Sequence, residues 1–187
     1  DWFIGNANIF SKRERAKILK KDTAPAPRDI CAKFYKEVSD KDEVTRMQYL
    51  DINMWMMGDI LLKADKMSMA HSLELRVPFL DKEIMNLART IPLDKRVNLV
   101  TTKLALRRAA SKTLPSKTSE KPKLGFPVPI RVWLKEDKYY DLVKAEFLSK
   151  TSEKYFNTKY LVKLMDDHRA GKADNSRKIW TVYTFLV

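Results

Sequence analysis

Two lysines twenty residues apart, Lys103 and Lys123, stand where a cation could act on a phosphate. Lys103 falls in the first turn of a predicted helix, where the macrodipole disfavours a positive charge. An anion sharing that helix N-terminus, met by free backbone N–H groups, would give the cation a use. Lys123 lies in a loop stiffened by Pro122, Pro127 and Pro129, with Gly125 allowing a tight bend. A lysine on a rigid loop suits placing one positive charge on a phosphate. On residue types alone the plainer readings ordinarily prevail: a screened, solvated lysine at a helix end, and an exposed lysine beside a structural proline turn.

Both lysines sit in the most basic part of the chain. Between Lys95 and Lys138 there are twelve Lys or Arg residues against three acids, which is +9 of the net +13. Such a stretch asks for an anionic partner. A second group of charges is threaded through an apolar segment, Leu62 to Asp81, as Lys63, Asp65, Lys66, Glu74 and Arg76. Charges stay in such a segment when they are paired or face a polar cavity. His71 reads as a turn residue and His168 as a surface residue. One cysteine, Cys31, and two distant histidines leave little for a zinc site, a disulfide framework or a Ser/His/Asp triad, so no metal site is expected.

The elements that must position these groups read as helices. Ser11 with Glu14 forms a capping box for a helix from Lys12 to about Lys21. Pro25 and Pro27 break the chain before a second helix, Asp29 to Val38. Ser39 or Asp40 can cap a long third helix, in which Val44, Met47, Leu50, Met54, Met57 and Leu61 make a core-facing stripe. Trp55, Met56 and Ile60 widen that stripe until it implies deep burial. Pro78 ends the preceding element, and Asp81 caps a helix through Ile84, Leu87, Ala88 and Ile91. Thr101 or Thr102 caps the next, with Leu104, Ala105, Leu106 and Ala109 as its apolar positions. A helix carrying Tyr160, Leu161 and Leu164 stops near Gly171, and a terminal helix starts at Asp174 or Asn175.

With 187 residues, 44% hydrophobic and 33% charged, the chain suits one folded domain. No apolar run approaches a membrane helix, and the N-terminus lacks the pattern of a signal peptide, so a cytoplasmic location is expected. Four glycines and no glycine-rich turn argue against a nucleotide-binding parallel sheet within these residues. The fold class expected is all-α. The apolar ends, Trp2-Phe3-Ile4 and Phe185-Leu186-Val187, suit a piece of a longer protein.

The segments "DILLKADKMSMAHSLELRVPFLDKEIM", "TTKLALRRAASKTLP" and "KPKLGFPVPIRVWL" resemble the C-terminal part of glutamine-hydrolysing asparagine synthetases. The core of the resemblance is Glu74-x-Arg76-Val77-Pro78-Phe79-Leu80-Asp81, with the spacing of Lys103 and Lys123 in support. It is strong from about Asp51 to Trp133 and continuous to the end, where "GKADNSRKIW" also fits; residues 1–50 fit only in being helical. The resemblance implies that residues 1–187 are one helical region, the C-terminal portion of an α/β, adenine-nucleotide α-hydrolase-like (ATP pyrophosphatase) synthetase domain. The glutaminase domain and the ATP-binding loop of the family are absent from these residues. In the family, ATP adenylates the aspartate side chain, pyrophosphate leaves, and glutamine-derived ammonia displaces AMP to give asparagine.

The resemblance further implies that Lys123 steadies charge on the phosphate during adenylation and that Lys103 holds pyrophosphate. Glu74, Arg76 and Asp81 would fix the turn beside the nucleotide, with Asp59 and Asp65 in the same supporting layer; core ion pairs are the alternative. Substrates would be aspartate, ATP with Mg2+, and ammonia, in the full-length enzyme. The piece alone would be inactive, with no cofactor of its own, and its partners would be the missing N-terminal parts of the same chain. A homodimer is left open. A basic helical nucleic-acid binder, with Phe126 and Trp133 in the basic stretch, or an interaction module without catalysis, is the alternative; no recognised nucleic-acid motif accompanies it.

Overall fold

The computed structural model describes residues 3–5, 8–122, 125 and 128–187. Among them the chain is helical, without strands, and its only sheet-like features are two isolated bridges, Leu19 to Phe156 and Val97 to Thr102. It divides into two compact units, Asp1–Lys33 with Phe126–Val187, and Phe34–Gly125. No helix among the described residues is long and apolar enough to cross a membrane.

The first unit is built on apolar stripes that find each other. Its helices are α1 (Lys12–Ile18), the start of α2 (Pro27–Glu37), and the C-terminal set α9 (Ile130–Trp133), α10 (Asp137–Phe147), α11 (Lys150–Tyr155), α12 (Thr158–Arg169) and α13 (Ser176–Leu186). Tyr140, Val143 and Phe147 recur at helical spacing on α10, and Leu161, Leu164 and Met165 on α12. Ile179 and Val182 of α13, with Ile18, Leu134 and Phe156, close the core around them. Backbone bonds stitch the N-terminal segment to this core: Lys20 N–H donates to Tyr155 O at 2.9 Å, and Asn157 N–H to Ile18 O at 2.7 Å. Glu14 of α1 also takes a charged hydrogen bond from Lys178 of α13.

Several helix ends follow the expected chemistry. Ser11 and Glu14 form the capping box, although α1 ends at Ile18, where Leu19 turns extended to make its bridge. Pro27 does not break the chain but opens α2, since its fixed φ suits a first helical position. Gly171, at φ +73, follows α12 as a left-handed C-terminal residue. Cys31 is buried, and burial pushes its thiol up, so it makes no ready nucleophile.

The second unit is a different kind of object. α3 (Glu43–Asp51) is capped by Asp42 rather than Ser39 or Asp40: Asp42 Oδ1 accepts Thr45 N–H at 2.9 Å. The helix continues without a break as a π-wound stretch, Ile52–Leu61, and then as α4 (Leu62–Met69). A 3-10 turn, Pro78–Leu80, leads into α5 (Lys82–Thr90), capped by Asp81. The short helices α6 (Leu93–Arg96), α7 (Leu104–Ala110) and α8 (Ser116–Ser119) complete it. Arg96 ties α6 to the start of α3, donating to Asp42 Oδ2 at 3.1 Å, Thr45 Oγ1 at 2.9 Å and Gln48 Oε1 at 3.2 Å.

The deep burial expected of the long apolar helix is not found. Leu50 is 1% exposed, but Met57 is 63% exposed and Met54, Trp55 and Ile60 also face outward. Two physical reasons account for the difference. The π winding is wider than an α-helix, so residues at three–four spacing drift off a common face. Among the described residues of the unit no second layer covers what remains, and Phe79 and Leu87 are exposed as well.

Leu161→Ala should cost about 3 kcal/mol in urea unfolding and Met57→Ala under about 0.5 kcal/mol. The Lys178 ammonium, with Ser11, holds the Glu14 carboxyl at about 2 against an ordinary 4.5. Its stabilisation is therefore complete above pH 4.5 and fades as pH falls towards 2. Glu14→Gln should remove about 1 kcal/mol at pH 7 and flatten this acid limb, read from unfolding midpoints across pH.

Candidate anion-handling site

Lys103 sits at the N-cap position of α7 in the left-handed conformation, φ 60 and ψ 33. Thr101 and Thr102, expected as caps, are occupied otherwise. Thr101 N–H donates to Asn98 Oδ1 at 2.8 Å, and its hydroxyl donates to Thr102 O at 3.1 Å. Asn98 also accepts Val100 N–H at 2.9 Å, and Thr102 is drawn into the bridge with Val97. A tight loop, 97–102, thus delivers the chain to Lys103 at an angle that only a left-handed residue can turn into the helix. The conformation costs a non-glycine residue on the order of 1 kcal/mol, and the ammonium group is the side chain's one asset there.

Arg107, one turn on, holds three backbone carbonyls. Its Nε donates to Thr102 O at 3.3 Å, Nη1 to Ser119 O at 3.0 Å and Nη2 to Lys121 O at 3.1 Å. Its own N–H donates to Lys103 O at 2.9 Å. Sequence reasoning missed this residue. Its spacing of four from Lys103 is a signal, since it puts both on one helical face, but nothing in the sequence separates it from the adjacent Arg108. Lys123 lies outside the described residues.

The other expected site residues are dispersed along the second unit. Glu74 and Arg76 pair at 2.8 Å with both side chains largely exposed. Asp81 is used as the α5 cap, accepting Glu83 N–H at 2.8 Å. Asp59 accepts the Trp55 indole N–H at 2.9 Å and lies 3.7 Å from the Lys63 ammonium. Asp65 is exposed on α4. No hydrogen bond or ion pair joins Lys103 to any of these acids among the described residues. Three metal-ligating side chains do not converge anywhere among those residues either.

His168, expected at the surface, is buried at 1% exposure. It continues the Leu161, Leu164, Met165 stripe by one more turn, so the core face of α12 carries it inward. Its Nδ1 accepts Asn175 N–H at 3.3 Å and its Nε2 lies 3.0 Å from Arg131 O. Both ring nitrogens are thereby engaged, with the proton on Nε2, and the ring acts as a brace between α9, α12 and the start of α13. An adjoining cleft of about 470 Å³, lined by Arg131, Lys135, Glu136 and Asp174 among others, contains none of the expected site residues.

The described residues of the second unit thus combine a tightly cross-linked basic loop region with a broad exposed apolar surface. The chain belongs to the asparagine synthase family, whose model matches residues 5–187. It is 45% identical over 188 aligned residues to the glutamine-hydrolysing asparagine synthetase 1 of Bacillus subtilis, covering 100% of this chain and 30% of that protein. A Mycobacterium tuberculosis protein assigned as a glutamine-hydrolysing asparagine synthetase is 39% identical across 99% of the chain and 28% of its own length. The glutamine-hydrolysing asparagine synthetase 3 of Bacillus subtilis is 35% identical over 83 residues, 44% of this chain and 14% of that protein. No solved structure matches. The chain therefore spans under a third of the length of the relatives that match it from end to end.

The left-handed backbone of Lys103 generates its own test. Lys103→Gly and Lys103→Ala both remove the ammonium group, but only glycine relieves the backbone. Lys103→Gly should be about 1 kcal/mol more stable than Lys103→Ala in chemical denaturation. Equal stabilities would show that the turn does not constrain that residue.

Proposed function

We propose that this chain is the helical C-terminal portion of the synthetase domain of an ATP-dependent, AMP-forming amidotransferase that makes asparagine. The observation that carries the reading is similarity along the whole chain, at 45% identity, to a glutamine-hydrolysing asparagine synthetase. The rest of that domain is an α/β, adenine-nucleotide hydrolase-like fold, and a separate glutaminase domain supplies ammonia. Residues 1–187 act as one region against that sheet. The exposed apolar residues of the second unit, Met57, Phe79 and Leu87 among them, support a packing surface of this kind. The enzyme is cytoplasmic.

The chemistry needs cations more than it needs bases. An oxygen of the aspartate side chain attacks the α-phosphorus of ATP, and pyrophosphate leaves with the bonding pair. Ammonia then attacks the activated carboxyl carbon, AMP departs, and the nitrogen sheds a proton. Lys103 holds the departing pyrophosphate, and Lys123 steadies the charge that develops on the phosphate in the first step. Glu74, Arg76, Asp81, Asp59 and Asp65 keep the surrounding turn and helix in place. The magnesium that accompanies ATP would neutralise phosphate charge.

Exchange of labelled pyrophosphate into ATP, dependent on aspartate, isolates the first half-reaction. In the full-length enzyme, Lys123→Ala and Lys103→Ala should each lower exchange by about 10²- to 10³-fold, as removal of one charge-stabilising donor does elsewhere. Undiminished exchange in a variant would remove that lysine from the mechanism. Exchange with another carboxylate in place of aspartate would keep the chemistry and change the substrate.

A further inference from the structure

We infer that Arg107 is a positioning residue that locks together the two backbone segments leading to Lys103 and Lys123. The inference rests on the proposed function for its catalytic consequence, but its structural half stands on the geometry alone. One guanidinium group reaches Thr102 O, Ser119 O and Lys121 O at 3.0–3.3 Å, joining segments 17–19 residues apart in sequence. Thr102 is the neighbour of Lys103, and Lys121 precedes Lys123 by two residues.

Three features make this more than a helix-end contact. First, the donors come from all three nitrogens of one planar group, so the carbonyls are fixed relative to one another as well as to the helix. An ammonium group offers no comparable planar fork. Second, the main chain of Arg107 holds the same place, since its N–H bonds Lys103 O at 2.9 Å. Residues 102 and 103 are thus gripped through consecutive carbonyls. Third, Lys103 occupies a left-handed conformation that persists only where its surroundings over-determine it. The Asn98 turn constrains one side of it and Arg107 the other.

The clamp fixes the backbone beside Lys103 relative to Ser119 and Lys121. An ammonium group on a long side chain gains from a rigid base, because misplacement of about 1 Å can cost a hundredfold in rate. Arg107 keeps its positive charge, but its donors are turned onto carbonyl oxygens rather than towards a ligand. Its contribution is the spacing of the two lysine-bearing segments.

The test uses the full-length enzyme and two variants, Arg107→Ala and Arg107→Lys. Hydrogen exchange followed by mass spectrometry reads the clamp without any activity. Both variants should speed amide exchange about tenfold or more in peptides covering 98–104 and 117–122, leaving peptides of α10 and α12 unchanged. Unchanged exchange at 98–104 and 117–122 overturns the clamp. Aspartate-dependent pyrophosphate exchange reads the consequence: Arg107→Ala should lower the rate about 10- to 100-fold, with partial recovery in millimolar guanidinium. In a Lys103→Ala background the same substitution should cost much less, because the group it positions is gone. Full additivity of the two losses, or local loosening with an undiminished rate, overturns the positioning role. A wild-type enzyme that shows no aspartate-dependent exchange overturns the functional reading instead, while the amide-exchange result still decides the clamp.

Discussion

Burial of apolar surface is satisfied in one half of this chain and left open in the other. In the first unit, α10, α12 and α13 place Phe147, Leu161 and Ile179 together with almost no exposure, and Ile18 brings α1 into the same core. Everything else in that unit is arranged around this contact: the His168 brace, the Tyr155 and Asn157 backbone stitches and the Lys178–Glu14 pair. The second unit has no such centre. Among its described apolar residues only Tyr35 and Leu50 are buried. Its helices are held in register by polar devices, namely the Asp42 and Asp81 caps, the Arg96 bridge to α3 and the Arg107 clamp.

That difference changes the meaning of the positive charge. A count of +9 between Lys95 and Lys138 suggests a surface waiting for an anion. Part of it is spent within the protein. Arg96 is turned onto Asp42, Thr45 and Gln48, and Arg107 onto three carbonyls. Lys95 pairs with Asp94 at 2.8 Å. Arginine suits the internal tasks because its fork satisfies several oxygens at once, whereas lysine is a compact point charge on a flexible stem. The exposed Lys103 fits the second description, and a small number of such charges on a fixed frame is better suited to phosphate chemistry than a diffuse basic face.

How much of this could be read from the sequence depends on the range of the interaction. Local chemistry was legible: the Ser11–Glu14 box, the Asp81 cap and the Gly171 stop all follow from residues within a turn of one another. His168 was legible too, had its spacing from Leu161 outweighed the polarity of its side chain. The cap of α3 went to Asp42, whose carboxylate takes Thr45 N–H and the Thr45 hydroxyl and is also met by Arg96 from far off in sequence. The π winding of Ile52–Leu61 has no simple sequence signature, and the burial of that stretch depends on a partner layer that its own pattern cannot supply. The roles of Lys103 and Lys123 came from family resemblance, while Arg107 became visible only when its three carbonyls were brought together.

The left-handed turn at Lys103 is where these arguments meet. A glycine there would ease the backbone and an ordinary α-helical start would avoid the problem, yet the chain keeps a lysine in a conformation that disfavours it. Such a residue stays put only if leaving is costlier than staying. The Val97–Thr102 bridge, the Asn98 turn and the Arg107 guanidinium each remove one route of escape. The strain is local and small, while the restraint comes from three separate contacts, so the backbone at Lys103 is more fixed than a relaxed loop of the same length would be. A fixed base lets a flexible ammonium group search only the few rotamers that its stem allows. Preorganisation of a charge can therefore reside in the backbone beneath a lysine as much as in the side chain itself.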